Sequence, residues 1–199
     1  MTKRLFDLIL SFIGLAILSP FFVIISYLIW KEDHGPIFYR GERVGKSEDG
    51  FKIFKFRTMV VNADKIGGPS TSEDDPRLTK IGKFIRNYKF DEIPQLLNVL
   101  MGDMSIVGPR PEVPSEVETY SYEEKRILSV RPGITDYASL EYHNEGEILK
   151  GAKDPHKAYR EKIRPGKLKL ALKYVDERSL MTDIDLIYRT LKTLVVTRT

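Results

Sequence analysis

Residues 8–30 form an unbroken uncharged run, LILSFIGLAILSPFFVIISYLIW, and no other feature limits the fold of this chain as strongly. As a helix these 23 residues reach roughly 34 Å, slightly more than a bilayer's hydrocarbon core. A cleaved secretory signal does not fit. Its apolar core is about 7–15 residues long and is followed by a small-residue cleavage site. This run is longer and leads into Tyr27-Leu-Ile-Trp-Lys. Ser19-Pro20 lies at its middle. Proline removes a backbone hydrogen bond and clashes with the preceding turn, so a kink is expected there, and a neighbouring serine can satisfy the freed group. Lys3 and Arg4 precede the run, and Arg40, Arg43, Lys46, Lys52, Lys55 and Arg57 follow it. Basic flanks favour the cytoplasmic side, and here both flanks are basic. A segment that enters, bends and returns to one face satisfies both. A kinked spanning helix also satisfies the residues taken alone.

The rest of the chain is polar and globular in composition. Of 199 residues, 42% are hydrophobic and 30% charged, which excludes disorder over most of the length and fits one domain plus an appendage. Absence of cysteine removes disulfides, thiolate metal sites and a cysteine nucleophile. His34, His143 and His156 have no zinc-ligand spacing. The net charge, 32 − 28 = +4, is too small to argue for nucleic acid. A nucleic-acid binder would also interleave aromatics with a concentrated basic face, and here the aromatics lie mostly in apolar runs.

The expected fold is α-rich α+β: an apolar N-terminal helix over residues 1–34, then a domain over residues 35–199. Pro36 to Arg40 and Phe51 to Arg57 read as two short strands of a small β-hairpin, with Gly41, Gly45 and Gly50 between them. Residues 62–75, with Gly67-Gly68-Pro69, read as a loop. Pro76 to Tyr88 reads as an amphipathic helix with Leu78, Ile81, Ile85 and Tyr88 on one stripe. Arg77, Lys80, Lys83 and Arg86 lie largely off it, as a solvated basic face or as contacts for phosphates and anionic lipid heads. Asp91 to Leu100 reads as a further helix, with Asp91 at the N-cap and Pro94 in the first turn. Acidic residues at a helix start are ordinary on dipole grounds alone. Arg110 is bracketed by Pro109 and Pro111, which hold it for a bidentate anion or a surface salt bridge. Arg131-Pro132-Gly133 is a second such element. Helices are expected at 167–177 and 182–196, the second with Ile184, Ile187, Leu191 and Leu194 as its packing face. Gly41 to Ser47 imitates a phosphate-binding loop, but it has three residues between its glycines where the motif needs four.

Three runs occur together in order: Asp75-Pro-Arg-Leu-Thr-Lys-Ile-Gly-Lys-Phe-Ile-Arg, Phe90-Asp-Glu-Ile-Pro-Gln-Leu-Leu-Asn-Val-Leu, and Gly102-Asp-Met-Ser-Ile-Val-Gly-Pro-Arg-Pro. With the Ser-Pro segment and Lys55-Phe-Arg-Thr-Met, they make the chain resemble the monotopic phosphoglycosyl transferases, bacterial sugar transferases of the membrane. The resemblance covers nearly the whole chain. It implies transfer of a sugar-1-phosphate from a UDP-sugar to polyprenyl (undecaprenyl) phosphate, with release of UMP, as the first step of a membrane-bound glycan. It implies a catalytic pair at Asp91 and Glu92, with Asp91 as nucleophile and an aspartyl-phosphosugar intermediate. An acyl phosphate is a good donor to the next acceptor, and two displacements imply ping-pong kinetics.

Further expectations follow from the resemblance. The family uses Mg²⁺, for which Asp91 and Glu92 are the nearest ligands. Lys55, Arg57, Arg86, Arg110 and Arg131 become candidate diphosphate and nucleotide contacts. Asp183 matches a functional acidic position. Ser19 and Pro20 match the break of a re-entrant helix on the cytoplasmic face of the bacterial inner membrane, with amphipathic helices at the interface and room for a homodimer. The chain departs from many members after Arg131-Pro-Gly-Ile-Thr, where it continues Asp136-Tyr-Ala-Ser and then a long charged stretch, 140–164. The sugar cannot be read from it. The rival reading is a non-catalytic, membrane-anchored binder of anionic lipid.

Overall fold

The computed structural model describes residues 2–67, 71–72 and 74–196, with the side chains of Asp64 and residues 194–196 left aside. The elements in order are α1 (Thr2–Asp33), β1 (Phe38–Tyr39), β2 (Glu42–Val44), β3 (Gly50–Lys52), β4 (Lys55–Phe56), α2 (Lys80–Asn87), α3 (Gln95–Met101), β5 (Ser105–Val107), α4 (Pro114–Val117), β6 (Gly133–Thr135), α5 (Tyr137–Glu141), α6 (Glu145–Ile148), α7 (Pro155–Ala158), α8 (Arg164–Glu177) and α9 (Leu180–Val196). Short 3-10 turns and one π-helical turn, Tyr159–Ile163, connect them. The α-rich expectation holds.

The apolar run forms one 32-residue helix that continues through Ser19 and Pro20, where a break was expected. The physical reason is local. Proline at position 20 cannot donate to the carbonyl of Ala16, and Ser19 Oγ donates to that carbonyl instead, at 2.9 Å. The helix is apolar on nearly every side, but only one stripe touches protein. Lys3 Nζ reaches Asp183 Oδ2 at 2.5 Å, and Arg4 reaches the carbonyls of Val99 and Leu100 at 2.5 and 3.0 Å. Asp7 is buried, accepting from Ser105 Oγ and the Ile106 amide. Gly14 lies against Leu96 closely enough that a Cβ would stand 3.2 Å from it. Phe22 packs at a tilt on Phe56, ring centroids 4.8 Å apart, Ile25 and Ile29 are buried, and Glu32 accepts from the first amides of α2. Both ends of the helix therefore dock on one body. Its other faces, including Phe12, Ile17, Phe21 and Val23, are open. By length and composition this helix could cross a membrane.

The hairpin forms, but the expected second strand, Phe51 to Arg57, is divided into β3 and β4, and β3 pairs with β2. β1 pairs antiparallel with β4 (Phe38↔Phe56), and β2 with β3 (Arg43↔Phe51). Residues 62–67, 71, 72, 74 and 75 lie between β4 and α2 with a short 3-10 turn at Ala63–Lys65, so the loop reading stands for the described part; Gly68 and Pro69 lie outside it. The amphipathic helix starts later than expected, at Lys80. Leu78 is bridged to Met59, and Thr79 caps the helix by accepting from the Gly82 amide at 2.9 Å. Arg77 is thereby removed from the basic face. It is buried against Asp75, 2.7 Å away.

Asp91 is not an N-cap. It sits inside a 3-10 turn, Phe90–Glu92, and α3 begins only at Gln95. Pro94 has no amide to give the Phe90 carbonyl, which accepts from Ile93 instead, the tighter 3-10 bond. β5 and β6 pair in parallel (Ser105↔Gly133, Val107↔Thr135), with Gly108 and Gly133 in such close contact that a Cβ on either would strike backbone. α9 also turns differently from its hydrophobic pattern. Asp183, Leu186 and part of Ile187 face inward, whereas Ile184 and Leu191 are exposed. The polar groups decide this: Asp183 is bound by Lys3 and Tyr174, and Thr190 bonds Thr135 at 2.7 Å. The Leu194 side chain lies outside the described set.

Candidate active site

Three sequence-distant pieces meet around Asp91 and Glu92. Lys89, in the left-handed region at φ 56°, reverses the chain after α2. Phe90 then anchors the turn in the cluster of Ile25, Ile29, Phe56 and Ile85. This places the two following carboxylates beside β4, where buried Phe56 points one way and Lys55 the other. Lys55 Nζ lies 2.8 Å from Glu92 Oε1 and 3.7 Å from Asp91 Oδ2. Arg110, on the proline-bracketed turn after β5, donates to the same Glu92 oxygen at 2.5 Å. Asn98 fixes the strand that carries Lys55. Its Oδ1 accepts from the Phe54 amide at 2.7 Å, and its Nδ2 donates to the Lys52 carbonyl at 3.0 Å.

The two carboxylates have opposite environments. Burial pushes the Glu92 carboxyl upward, but Arg110 and Lys55 outweigh it and hold Glu92 well below the usual carboxylate range. Asp91 is only 8% exposed, and its Oδ1 is buried with no hydrogen-bond partner among the described residues. Burial dominates there, Glu92 adds to it, and the Asp91 carboxyl is raised despite Lys55. The result is a firmly held anion beside a poorly solvated one. Glu92 in turn raises Arg110.

The remaining candidates separate. Arg86 is half-buried within electrostatic reach of Asp91 and has no hydrogen bond or ion pair among the described residues. Arg57 is instead buried, paired with Asp33 at 2.5 Å and donating to the Pro36 carbonyl, so it fastens the end of α1. Arg131 is exposed and donates to the Gly102 carbonyl at 2.8 Å, which caps α3. Asp183 is buried with Lys3 and Tyr174, holding α9 to the start of α1. Among the described residues none of these three is hydrogen-bonded or ion-paired to the carboxylate pair. Lys89 was missed by the sequence reading. Crowding by protein atoms, with Arg110 and Lys55 adding to it, pushes its ammonium down, although the side chain retains access to solvent. Its signal in the sequence was only a basic residue two positions before the acid pair.

Among the described residues no three His, Cys, Asp or Glu groups converge on a metal position. Two carboxylates still fit a magnesium ion, which commonly takes one or two carboxylates plus substrate phosphates and water. The unpartnered Asp91 oxygen is the feature of this site that fits such an ion.

The family model described as bacterial sugar transferase matches residues 1–197. The exopolysaccharide production protein ExoY of Sinorhizobium fredii is 33% identical over 99% of this chain and 87% of its own. A putative undecaprenyl-phosphate N-acetylgalactosaminyl 1-phosphate transferase of Bacillus subtilis is 48% identical over 61% of this chain and 68% of its own. The UDP-glucose:undecaprenyl-phosphate glucose-1-phosphate transferase of Escherichia coli is 34% identical over 94% of this chain but only 39% of its own.

Proposed function

The chain belongs to the bacterial sugar transferase family, and from that premise we propose that it moves a sugar-1-phosphate from a UDP-sugar to undecaprenyl phosphate, releasing UMP. The single observation that carries the chemistry is the buried, unpartnered Oδ1 of Asp91 next to a Glu92 held by two cations. Asp91 attacks the sugar-bearing phosphorus. The Asp91 oxygen–phosphorus bond forms as the bond to the bridging diphosphate oxygen breaks, and UMP leaves with that oxygen. A phosphate oxygen of the lipid then attacks the same phosphorus and restores the Asp91 carboxylate. Poor solvation favours Asp91 as the attacking group, because little water must be stripped from it. Lys55 and Arg110 balance negative charge around the transferring group, which phosphoryl transfer needs more than covalent assistance. Asp91 and Glu92 are the residues that would hold Mg²⁺, which when bound supplies further charge neutralisation at the diphosphate.

In the same reading the body lies on the cytoplasmic face, and α1, unbroken at Ser19-Pro20, dips into that face of the membrane without crossing it. Its support is the docking of Lys3 and Arg4 at one end and Glu32 and Asp33 at the other on one body. A helix crossing a bilayer separates its ends by about 30 Å of hydrocarbon, and only one end could then reach that body.

The test is UMP release by purified protein in detergent with Mg²⁺, undecaprenyl phosphate, and UDP-glucose, UDP-galactose or UDP-N-acetylgalactosamine. Lipid-dependent turnover with one donor is expected, with Asp91→Asn inactive. Equal release by Asp91→Asn would remove the nucleophile assignment, and binding of anionic vesicles without any release would favour the non-catalytic reading.

A further inference from the structure

Two large aromatic side chains are open to solvent at the end of α2, Phe84 within it at 53% exposure and Tyr88, its C-terminal cap, at 39%. Their ring centroids are 4.8 Å apart, and Tyr88 stacks on Phe90 at 5.7 Å with 22° between planes. Phe90 packs against the cluster that Ile25 and Ile29 of α1 form with Phe56 and Ile85, and it directly precedes Asp91. The three rings thus form a continuous apolar ladder. It starts on the outside of α2, reaches the apolar cluster to which the membrane-length helix contributes Ile25 and Ile29, and ends one residue from the proposed nucleophile. Arg86 lies on the same helix between the two exposed rings in sequence, within electrostatic reach of Asp91 and without a hydrogen bond or ion pair among the described residues. Packing accounts for Ile81 and Ile85, which face α1, but it does not account for Phe84 and Tyr88. A helix this short needs no exposed aromatics to be stable.

Resting on the reaction proposed above, we infer that this ladder is the binding track for the isoprenoid chain of the lipid acceptor, with Arg86 taking its phosphate. The chemistry matches at both ends. A polyprenyl phosphate is a long apolar chain with one anionic head, and the protein offers a row of rings beside one unengaged guanidinium. The order also matches, because the head must arrive at Asp91 while the chain points back toward α1. Phe90 is the rung that joins the two. An ordinary bilayer acyl chain would need no alignment with the nucleophile.

The test separates the half-reactions. Wild type and the double variant Phe84→Ala/Tyr88→Ala are mixed with Mg²⁺ and the UDP-sugar found active, without acceptor, and the stoichiometric burst of UMP is measured. Acceptor kinetics follow in detergent with undecaprenyl phosphate and with the short-chain geranyl phosphate. The double variant keeps the burst. Its KM for undecaprenyl phosphate rises about tenfold, the size expected for losing aromatic burial, while its KM for geranyl phosphate changes little. Arg86→Gln raises KM for both acceptors alike. Equal weakening of both acceptors by the double variant would mean that the face holds the bilayer, and would overturn the inference. So would unchanged kinetics with undecaprenyl phosphate, or loss of the burst with a normal melting temperature. A wild-type protein that gives no burst with any donor sinks the proposed reaction itself, and this inference with it.

Discussion

At the scale of single residues, the site rests on two adjacent carboxylates driven in opposite directions. Glu92 is fixed as an anion by Arg110 and Lys55, whereas Asp91 is raised chiefly by burial. A carboxyl whose native value is raised binds its proton more tightly folded than unfolded. Its ionisation therefore costs stability as pH rises through that raised value, and the cost is fully present above it. Asp91→Asn removes this cost. For a gain of about 1 kcal/mol its melting temperature rises by about 2–4 °C while turnover is lost, and thermal unfolding of the two proteins side by side checks both. Attack also requires the ionised form, so the rate rises with pH through the same raised value. Lys55 is the cation nearest Asp91, at 3.7 Å. Lys55→Met is expected to shift the acid limb of the pH–rate profile to higher pH, and an unmoved limb would deny Lys55 that role.

At the scale of elements, the contact between β5 and β6 sets where Arg110 stands. A Cβ on Gly108 would lie 2.4 Å from the Arg131 carbonyl oxygen and 3.0 Å from the Gly133 amide. Gly108→Ala is expected to cost about 1–3 kcal/mol through overpacking. It should also reduce turnover, since Arg110 follows two residues later. Gly50→Ala is the control: a Cβ there meets nothing within 4 Å, and neither stability nor activity should change appreciably. Thermal melts and UMP release on the two variants decide this, and an active, fully stable Gly108→Ala would show that the strands can part without moving Arg110. The pairing of Asp33 with Arg57 is a second clamp between elements. Hydrogen bonding from Arg57 lowers Asp33, so that contribution is present at neutral pH and fades as pH falls through the lowered value.

At the scale of the whole molecule, the arrangement of α1 makes a topological prediction. The chain has no cysteine, so single introduced cysteines report without background. Thr2→Cys and Tyr122→Cys, the latter replacing a side chain 93% exposed on the body, should both react with an impermeant maleimide from the cytoplasmic side of membrane vesicles. Reaction of the position 2 cysteine only from the opposite side would establish a spanning helix.

The sequence by itself determined the features that are local. The uncharged run, the hairpin strands and the α-rich architecture depend on neighbours along the chain, and so does the chemical identity of the Asp91-Glu92 pair. The prolines around Arg110 mark a constrained turn in the sequence, and its pairing with Glu92 is seen only in the fold. Only the tertiary structure decided which distant charges meet. Arg110 and Lys55 converge on Glu92, whereas Arg57 closes on Asp33, Arg131 on the Gly102 carbonyl, and Asp183 on Lys3 across 180 residues. In the sequence all of these are basic or acidic residues of equal standing. The same limit explains α9, whose hydrophobic pattern alone put Ile184 and Leu191 inward. The pairing of buried Asp183 with Lys3 and a threonine–threonine bond set the rotation of the helix, because a desolvated carboxylate must find its partners before an aliphatic side chain finds its burial.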